Sequence, residues 1–170
     1  MKILKLFFVL ILSIAFFSCN KEENRQIKVD KYVKLLKANK YNNAQLPAFT
    51  LEDIDELLEY RNEKDMIINF PRNNISSTFH EEVELGIYIL WTIEAIRQSS
   101  ITGLKGIFPS LEPAFVPRGA ESYDAEKQQA AQQEASNAYY TWWTMRYFTS
   151  ATFGAWLNMD PMEDTNYKWH

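Results

Sequence analysis

Residues 79–98 constrain the fold most, because their apolar side chains lie on nearly every side of a helical wheel. A helix that is apolar all round belongs in the interior of a protein. Glu84, Glu94 and Arg97 interrupt the segment, and it is too short for a membrane span. We therefore predict a helix at the centre of the domain, with these large apolar residues buried: Val83, Leu85, Ile87, Ile89, Leu90, Trp91, Ile93 and Ile96.

Three other segments show helical patterns. The first helix is predicted to start near Asp30, a typical N-cap residue, and to stop around Asn39. The second opens at Thr50, which has the capping-box spacing to an acid three residues later. The last is predicted to run from Asp124 to about Phe148.

The connections between these helices are long. Residues 41–49 and 99–123 are rich in asparagine, proline or glycine, which favour turns and loops. The composition, 46% hydrophobic and 15% aromatic, suits one well-packed core. The predicted fold class is therefore all-α: a compact single domain over residues 29–170, with about four principal helices and long irregular connections.

The first residues have the pattern of an export signal. Lys2 and Lys5 precede a run of 12 residues, 6–17, that is apolar except for one serine. A membrane span needs about 20 apolar residues, so residues 1–18 are predicted to be a signal peptide. The run ends at Cys19, the only cysteine of the chain, directly after a serine. This pattern resembles a bacterial lipobox, which implies cleavage before Cys19 and stable anchoring through its acyl chains.

The residues after Cys19 are predicted to form a polar tether over residues 19–28. Lys21, Glu22 and Glu23 resemble the lysine and two acids that direct lipoproteins of Bacteroidota to the cell surface. A solvated linker would have the same composition. Removing residues 1–18 takes the net charge from −4 to −6, which argues against nucleic acid as a partner. The predicted location is the outer membrane, lipid-anchored and facing the outside.

The order of several short motifs resembles a family of Bacteroidota lipoproteins with a domain of unknown function. These motifs are the acidic helix led by Thr50, Asn-Phe-Pro at 69–71, Ile-Ser-Ser at 75–77, and Leu-Trp-Thr-Ile-Glu at 90–94 followed by Arg97. The resemblance covers most of the mature chain and implies a compact, mainly helical domain without an assigned activity. Asn74 stands where the family pattern has a proline.

Two sets of residues are candidates for binding a ligand or partner. Glu94 and Arg97 lie about 60° apart on the central helix, as either a buried ion pair or the charged floor of a pocket. The aromatic residues at the end of the last helix spread over an arc of about 160° on the helical wheel, and Arg146 falls inside it. If this arc is core, Arg146 is expected to stack on an indole or to pair with Glu94. If it is exposed, the arc is a platform for a glycan or a protein. Its candidate residues are Tyr139, Trp142 and Trp143.

Metal binding has little support. His80 and Glu84 are spaced four apart and could bind a metal weakly, but a zinc site needs three protein ligands and the chain has only two histidines. Helix capping by Thr78 and Glu81 explains the same residues. No metal and no cofactor is predicted.

The sequence offers no nucleophile–histidine set. The predicted function is therefore a non-catalytic binding or interaction module for a protein partner in an envelope complex or for a glycan. The alternatives are a carboxylate-dependent enzyme acting on carbohydrate, which needs two close acids, and a purely structural envelope component.

Overall fold

The computed structural model describes residues 27–76, 81–120, 124–148 and 154–170. The predicted signal peptide and most of the tether, with Cys19, Lys21, Glu22 and Glu23, lie outside these ranges. In chain order the elements are α1 (Val29–Lys37), a 3₁₀ turn (Leu51–Asp53), α2 (Ile54–Leu58), β1 (Met66–Ile67), β2 (Val83–Glu84), α3 (Leu85–Thr102), β3 (Phe115–Pro117), a 3₁₀ turn (Ala125–Lys127), α4 (Gln128–Met145), a 3₁₀ turn (Ala155–Asn158) and β4 (Tyr167–Trp169).

Helix α3 is the central element, as its all-round apolar pattern predicts. Every residue from Leu85 to Ile96 is buried. The helix ends at Gly103, whose φ of 74° is the left-handed conformation that glycine adopts without a Cβ clash. Within the described ranges, no helix combines the length and hydropathy needed to cross a bilayer.

The predicted start of this helix at residue 79 is wrong. Residues 83–84 form strand β2, and Glu84 is extended with ψ 133°. The first helical amide, that of Leu85, donates a hydrogen bond to the carbonyl of Asp65 at 2.8 Å. Pairing with β1 therefore keeps the preceding residues extended, although their apolar periodicity continues that of the helix.

The prediction of an all-α fold is also wrong, because the described part of the chain forms two antiparallel two-stranded sheets in addition to its helices. In the first, Met66 pairs with Glu84 and Ile67 with Val83. In the second, Phe115 pairs with Trp169 and Pro117 with Tyr167. Strands of two or three residues are too short to show the alternation that identifies a strand in a sequence. The fold is mixed: among the described residues, four α-helices are combined with two small sheets.

The first two helices agree with the predictions in position but not in every cap. The N-cap of α1 is Lys28 rather than Asp30, which lies in the first turn. Asn39 follows the helix with a φ of 54°. The capping box at Thr50 is confirmed: its backbone N–H donates to the Asp53 carboxylate at 2.7 Å. That box begins a 3₁₀ turn that leads into α2.

Helices α3 and α4 run parallel. Gly86 near the start of α3 lies against Gln132 near the start of α4, and Glu94 further along contacts Tyr139. Helix α1 runs the opposite way: Lys37 at its end binds Asp65, beside the start of α3. The start of α1 and the ends of α3 and α4 therefore share one end of the domain, here called the tether end because the predicted tether joins α1 there.

Gly86 allows an unusually close approach between α3, α4 and the loop before β1. The Gln132 amide donates to the carbonyls of Arg61 and Glu63, both at 3.3 Å, and accepts from Lys64 at 2.6 Å. A Cβ on residue 86 would lie 2.1 Å from the Gln132 amide nitrogen and 2.6 Å from the Arg61 carbonyl. Only glycine leaves room for this contact.

Replacing Gly86 with alanine is expected to lower the free energy of unfolding by about 1–3 kcal/mol or more, because the new methyl group meets backbone atoms. The measurement is urea unfolding of Gly86→Ala. Gly119→Ala is the control, because its φ of 84° strains alanine but nothing lies within 4 Å. The control should lose about 1–2 kcal/mol. Wild-type stability of Gly86→Ala would contradict the close approach.

Candidate functional site

Glu94 is a buried carboxylate with all of its acceptor positions in use. Its Oε2 accepts hydrogen bonds from Arg97 Nε at 2.9 Å and from the Tyr139 hydroxyl at 2.7 Å. Its Oε1 accepts from Arg97 Nη2 at 2.6 Å and from Gln98 Nε2 at 3.0 Å. A carboxylate offers about four lone-pair sites, so none remains for a substrate or a metal.

The partners of Glu94 extend this network to the C-terminal segment. Arg97 Nη1 donates to the carbonyls of Leu157 at 2.9 Å and Met159 at 3.3 Å. The Trp169 indole donates to the Tyr139 hydroxyl at 2.8 Å. One carboxylate thus joins α3, α4 and the segment that carries β4.

The protonation of the network follows from its burial and charges. Burial alone would lower the pKa of Arg97, but the hydrogen bonds and charge of Glu94 outweigh it and raise that pKa. Burial, reinforced by the charge of Glu94, raises the pKa of Tyr139 well above its usual value. Tyr139 is therefore a neutral donor at physiological pH, and Arg97 keeps its charge.

Trp142 and Trp143 are in the core, with 3% and 5% of their surface exposed. They surround Trp156, with ring centroids 5.0 and 5.3 Å from it. The Trp142 indole donates to the Trp156 carbonyl at 2.9 Å. No broad face of either ring is therefore open to a sugar in this structure.

Arg146 stacks on an indole, one of the two roles expected for a core arginine, but its acidic partner is not Glu94. The guanidinium lies 3.8 Å from the Trp143 ring centroid and binds Asp55 Oδ2 at 2.9 Å. Asp55 Oδ1 also accepts from the Trp143 indole at 2.6 Å. The candidate residues thus form two groups, Glu94, Arg97 and Tyr139 in one and Trp142, Trp143 and Arg146 in the other. The groups meet where the Tyr139 and Trp142 rings are T-shaped, with centroids 6.1 Å apart.

The remaining aromatic residues of this segment are exposed. Tyr140, Tyr147 and Phe148 expose 49%, 71% and 84% of their surface. Arg61 lies 4.7 Å from the Tyr140 ring centroid, and Arg146 lies 4.1 Å from that of Tyr147. The single arc expected from the helical wheel is thus divided between the core and the surface.

Of the candidate metal pair His80 and Glu84, the structure describes only Glu84. His80, like the predicted capping residue Thr78, lies outside the described residues. Glu84 precedes α3 in an extended conformation and binds Lys64 at 3.3 Å. Glu81 lies before β2 and not in a helix. Among the described residues, no group of three or more histidine, cysteine or acidic side chains could hold a metal ion.

A groove lies beside the C-terminal half of α3, and the sequence did not predict it. Its volume is about 710 Å³. The floor is α3 from Thr92 to Ser100, and the walls are residues 46–53 and 103–107. From Thr92 to Gly103 the groove spans about 16 Å at the rise of an α-helix.

The lining of the groove is apolar with polar groups at its edges. Leu46, Phe49 and Ile96 contribute apolar surface, whereas Ser99 and Ser100 place small side chains on the floor. Charges of both signs lie around it: Lys28, Lys105, Glu52 and Asp53. Such a groove could hold an extended segment with apolar side chains. The only sequence signal for it was the long irregular connection that starts after α3, since such connections are often functional.

The comparison with known families assigns this chain. A family model described as "Domain of unknown function (DUF4943)" matches residues 23–170. The chain belongs to this family. No curated protein matches the chain, and no solved structure matches it.

The DUF4943 assignment confirms one part of the expected resemblance, a domain of unknown function, over residues 23–170. The lipobox and the relation to Bacteroidota lipoproteins stay predictions.

Arg97→Met is expected to lower the free energy of unfolding by about 3–5 kcal/mol, because it leaves the Glu94 charge buried without a counter-ion. Urea unfolding measures this loss. Asp55→Asn is the matched control, since it breaks an arginine–carboxylate pair whose acid is 68% exposed and should cost at most about 1 kcal/mol. Equal losses in the two variants would contradict the structural role of the Glu94 network.

Proposed function

We propose that this DUF4943 protein is a non-catalytic binding module, anchored in the outer membrane through Cys19 and facing outward, and that the groove beside α3 holds its partner. The groove is the observation that carries the proposal. Its length of about 16 Å along α3 fits four or five residues of extended peptide at about 3.3 Å each. Its mostly apolar walls suit the side chains of such a segment.

A protein partner is favoured over a glycan by the aromatic residues. Sugar rings bind well to exposed, flat aromatic faces, and the groove offers only Phe49, of which 7% is exposed. Trp142 and Trp143, the residues expected to form a sugar platform, are packed around Trp156. Peptide recognition needs no such platform, because backbone groups and apolar pockets provide it.

An enzyme is less well supported. A carboxylate-dependent hydrolase needs an acid whose oxygen is free to protonate the substrate. Glu94, the buried acid of the central helix, already accepts four hydrogen bonds. Asp53 at the groove is engaged in the capping box with Thr50. Both acids serve the fold.

A photo-crosslinking amino acid at Ser99, on the groove floor, is expected to give a discrete adduct in intact cells, and protease should digest the partner in it. The same amino acid at Asn137, which is exposed on α4 and does not line the groove, is the control. A protease-resistant, heterogeneous adduct at Ser99 would instead identify a glycan. Absence of any adduct specific to Ser99 would contradict binding in the groove.

Replacing Cys19 with alanine is expected to release the protein from the membrane fraction, because acylation of this residue is the proposed anchor. Cell fractionation and immunoblotting measure the distribution. Asn20→Ala, which leaves the cysteine in place, should remain with the membrane. A Cys19→Ala protein that stays membrane-bound after signal cleavage would show that the lipobox interpretation is wrong.

A further inference from the structure

The tether end of the domain exposes four large apolar side chains, here called the tether-end patch. Ile101 and Leu104, at the end of α3, expose 43% and 60% of their surface. Tyr147 and Phe148, just after α4, expose 71% and 84%. They share one end of the molecule because α3 and α4 run parallel.

Contacts place this patch close to the point where the tether joins the domain. The backbone N–H of Asp30, in the first turn of α1, donates to Glu56 at 3.2 Å. The neighbouring Asp55 binds Arg146, and the Arg146 guanidinium lies 4.1 Å from the Tyr147 ring centroid. The start of α1 and Tyr147 are therefore linked through two adjacent residues of α2.

The tether is short relative to the domain. Ile27 lies eight positions after Cys19 in the sequence, so the two residues are at most about 27 Å apart. A domain of this length has a radius of gyration of about 15 Å and thus a breadth of roughly twice that. An anchor on Cys19 therefore keeps Ile27 within about 27 Å of the bilayer surface, less than the breadth of the domain, which favours the tether end as the end that faces the bilayer.

We propose that the tether-end patch rests in the headgroup region of the same leaflet that holds the Cys19 acyl chains. This inference depends on the proposed anchoring. Tyr147 combines an apolar ring with a polar hydroxyl, a pairing that favours the membrane interface. The same end carries charges of both signs, the acids Asp55 and Glu56 with the lysines Lys28 and Lys105, so the surface fits zwitterionic rather than anionic lipid.

The groove remains accessible in this arrangement. It extends along the side of α3 from Gly103 at the tether end toward Thr92, more than halfway back along the helix. Contact through the tether end covers the wall formed by residues 103–107 and leaves the floor of the groove open. Membrane contact at one end and partner binding at the side are therefore compatible.

The side of the domain provides a matched control. Ile75 exposes 84% of its surface, the same fraction as Phe148. Asn73, two residues before it, donates a hydrogen bond to the Ser110 carbonyl at 3.2 Å, and the Ser110 hydroxyl accepts one from the Trp91 indole in the first half of α3, away from the tether end. Exposure alone therefore does not distinguish the two sites; their distance from the tether does.

The first experiment uses the mature lipoprotein in vesicles of phosphatidylcholine and phosphatidylethanolamine. Hydroxyl-radical labelling, read by mass spectrometry, is compared with that of the chain from residue 19 onward carrying Cys19→Ser, free in solution. The comparison form keeps the whole described core, which lies between Val29 and Met162. We expect labelling of Tyr147 and Phe148 to fall at least about fivefold in vesicles, and that of Ile75 to stay unchanged.

The second experiment measures partition of the Cys19→Ser chain into the same vesicles by flotation. Combining Tyr147→Ser with Phe148→Ser should weaken partition at least about tenfold, because burying even one such side chain contributes that much. Ile75→Ser should leave it unchanged. Both substituted aromatic side chains are largely exposed, so the variant keeps its core.

The outcomes separate the two proposals. A lipoprotein that does not associate with vesicles at all overturns the anchoring on which this inference rests. Association with undiminished labelling of Tyr147 and Phe148 overturns the patch proposal and leaves the anchor intact. Protection of the patch in intact cells but not in vesicles also overturns it, in favour of a protein that covers this end.

Discussion

The Glu94 carboxylate is the group on which the arrangement of the domain depends. A charge with 4% side-chain exposure is costly to bury unless it is paired and fully hydrogen-bonded. Arg97 supplies the counter-charge, and Tyr139 and Gln98 fill the remaining acceptor positions. Because these donors come from two helices, and Arg97 and Tyr139 in turn bind the C-terminal segment, the requirement to satisfy one carboxylate fixes the position of three parts of the chain.

The sequence predicted the helices well and the short strands not at all. The all-round apolar pattern of α3 identified the central helix because its cause, burial on every side, acts on many consecutive residues. Strands β1 to β4 have two or three residues each, and their pairing joins segments far apart in the chain, such as Phe115 with Trp169. Local periodicity carries no information about such pairing, so the class was predicted as all-α and not as mixed.

The contacts of the candidate site were likewise predictable only where they are local in sequence. The proximity of Glu94 and Arg97 was predictable, because residues three apart on a helix are neighbours. The choice of Asp55 over Glu94 as the partner of Arg146 was not, because it depends on how α2 packs against α4. The groove also could not be predicted from local sequence patterns. It forms between three separated stretches of chain, and small residues such as Ser99 signal an opening only when their neighbours are known.

The parallel orientation of α3 and α4 also bears on how the chain folds. Antiparallel neighbours can be joined by a short turn, whereas this pair needs a connection that returns along the whole helix. The contacts that define the core therefore join residues far apart in sequence: 45 positions for Glu94 and Tyr139, 71 for Arg61 and Gln132, and 88 for Asp55 and Trp143. Closing such loops has an entropic cost before any contact forms, and high contact order slows folding. Despite its helical content, this domain should reach its native state more slowly than an up-and-down bundle of equal length.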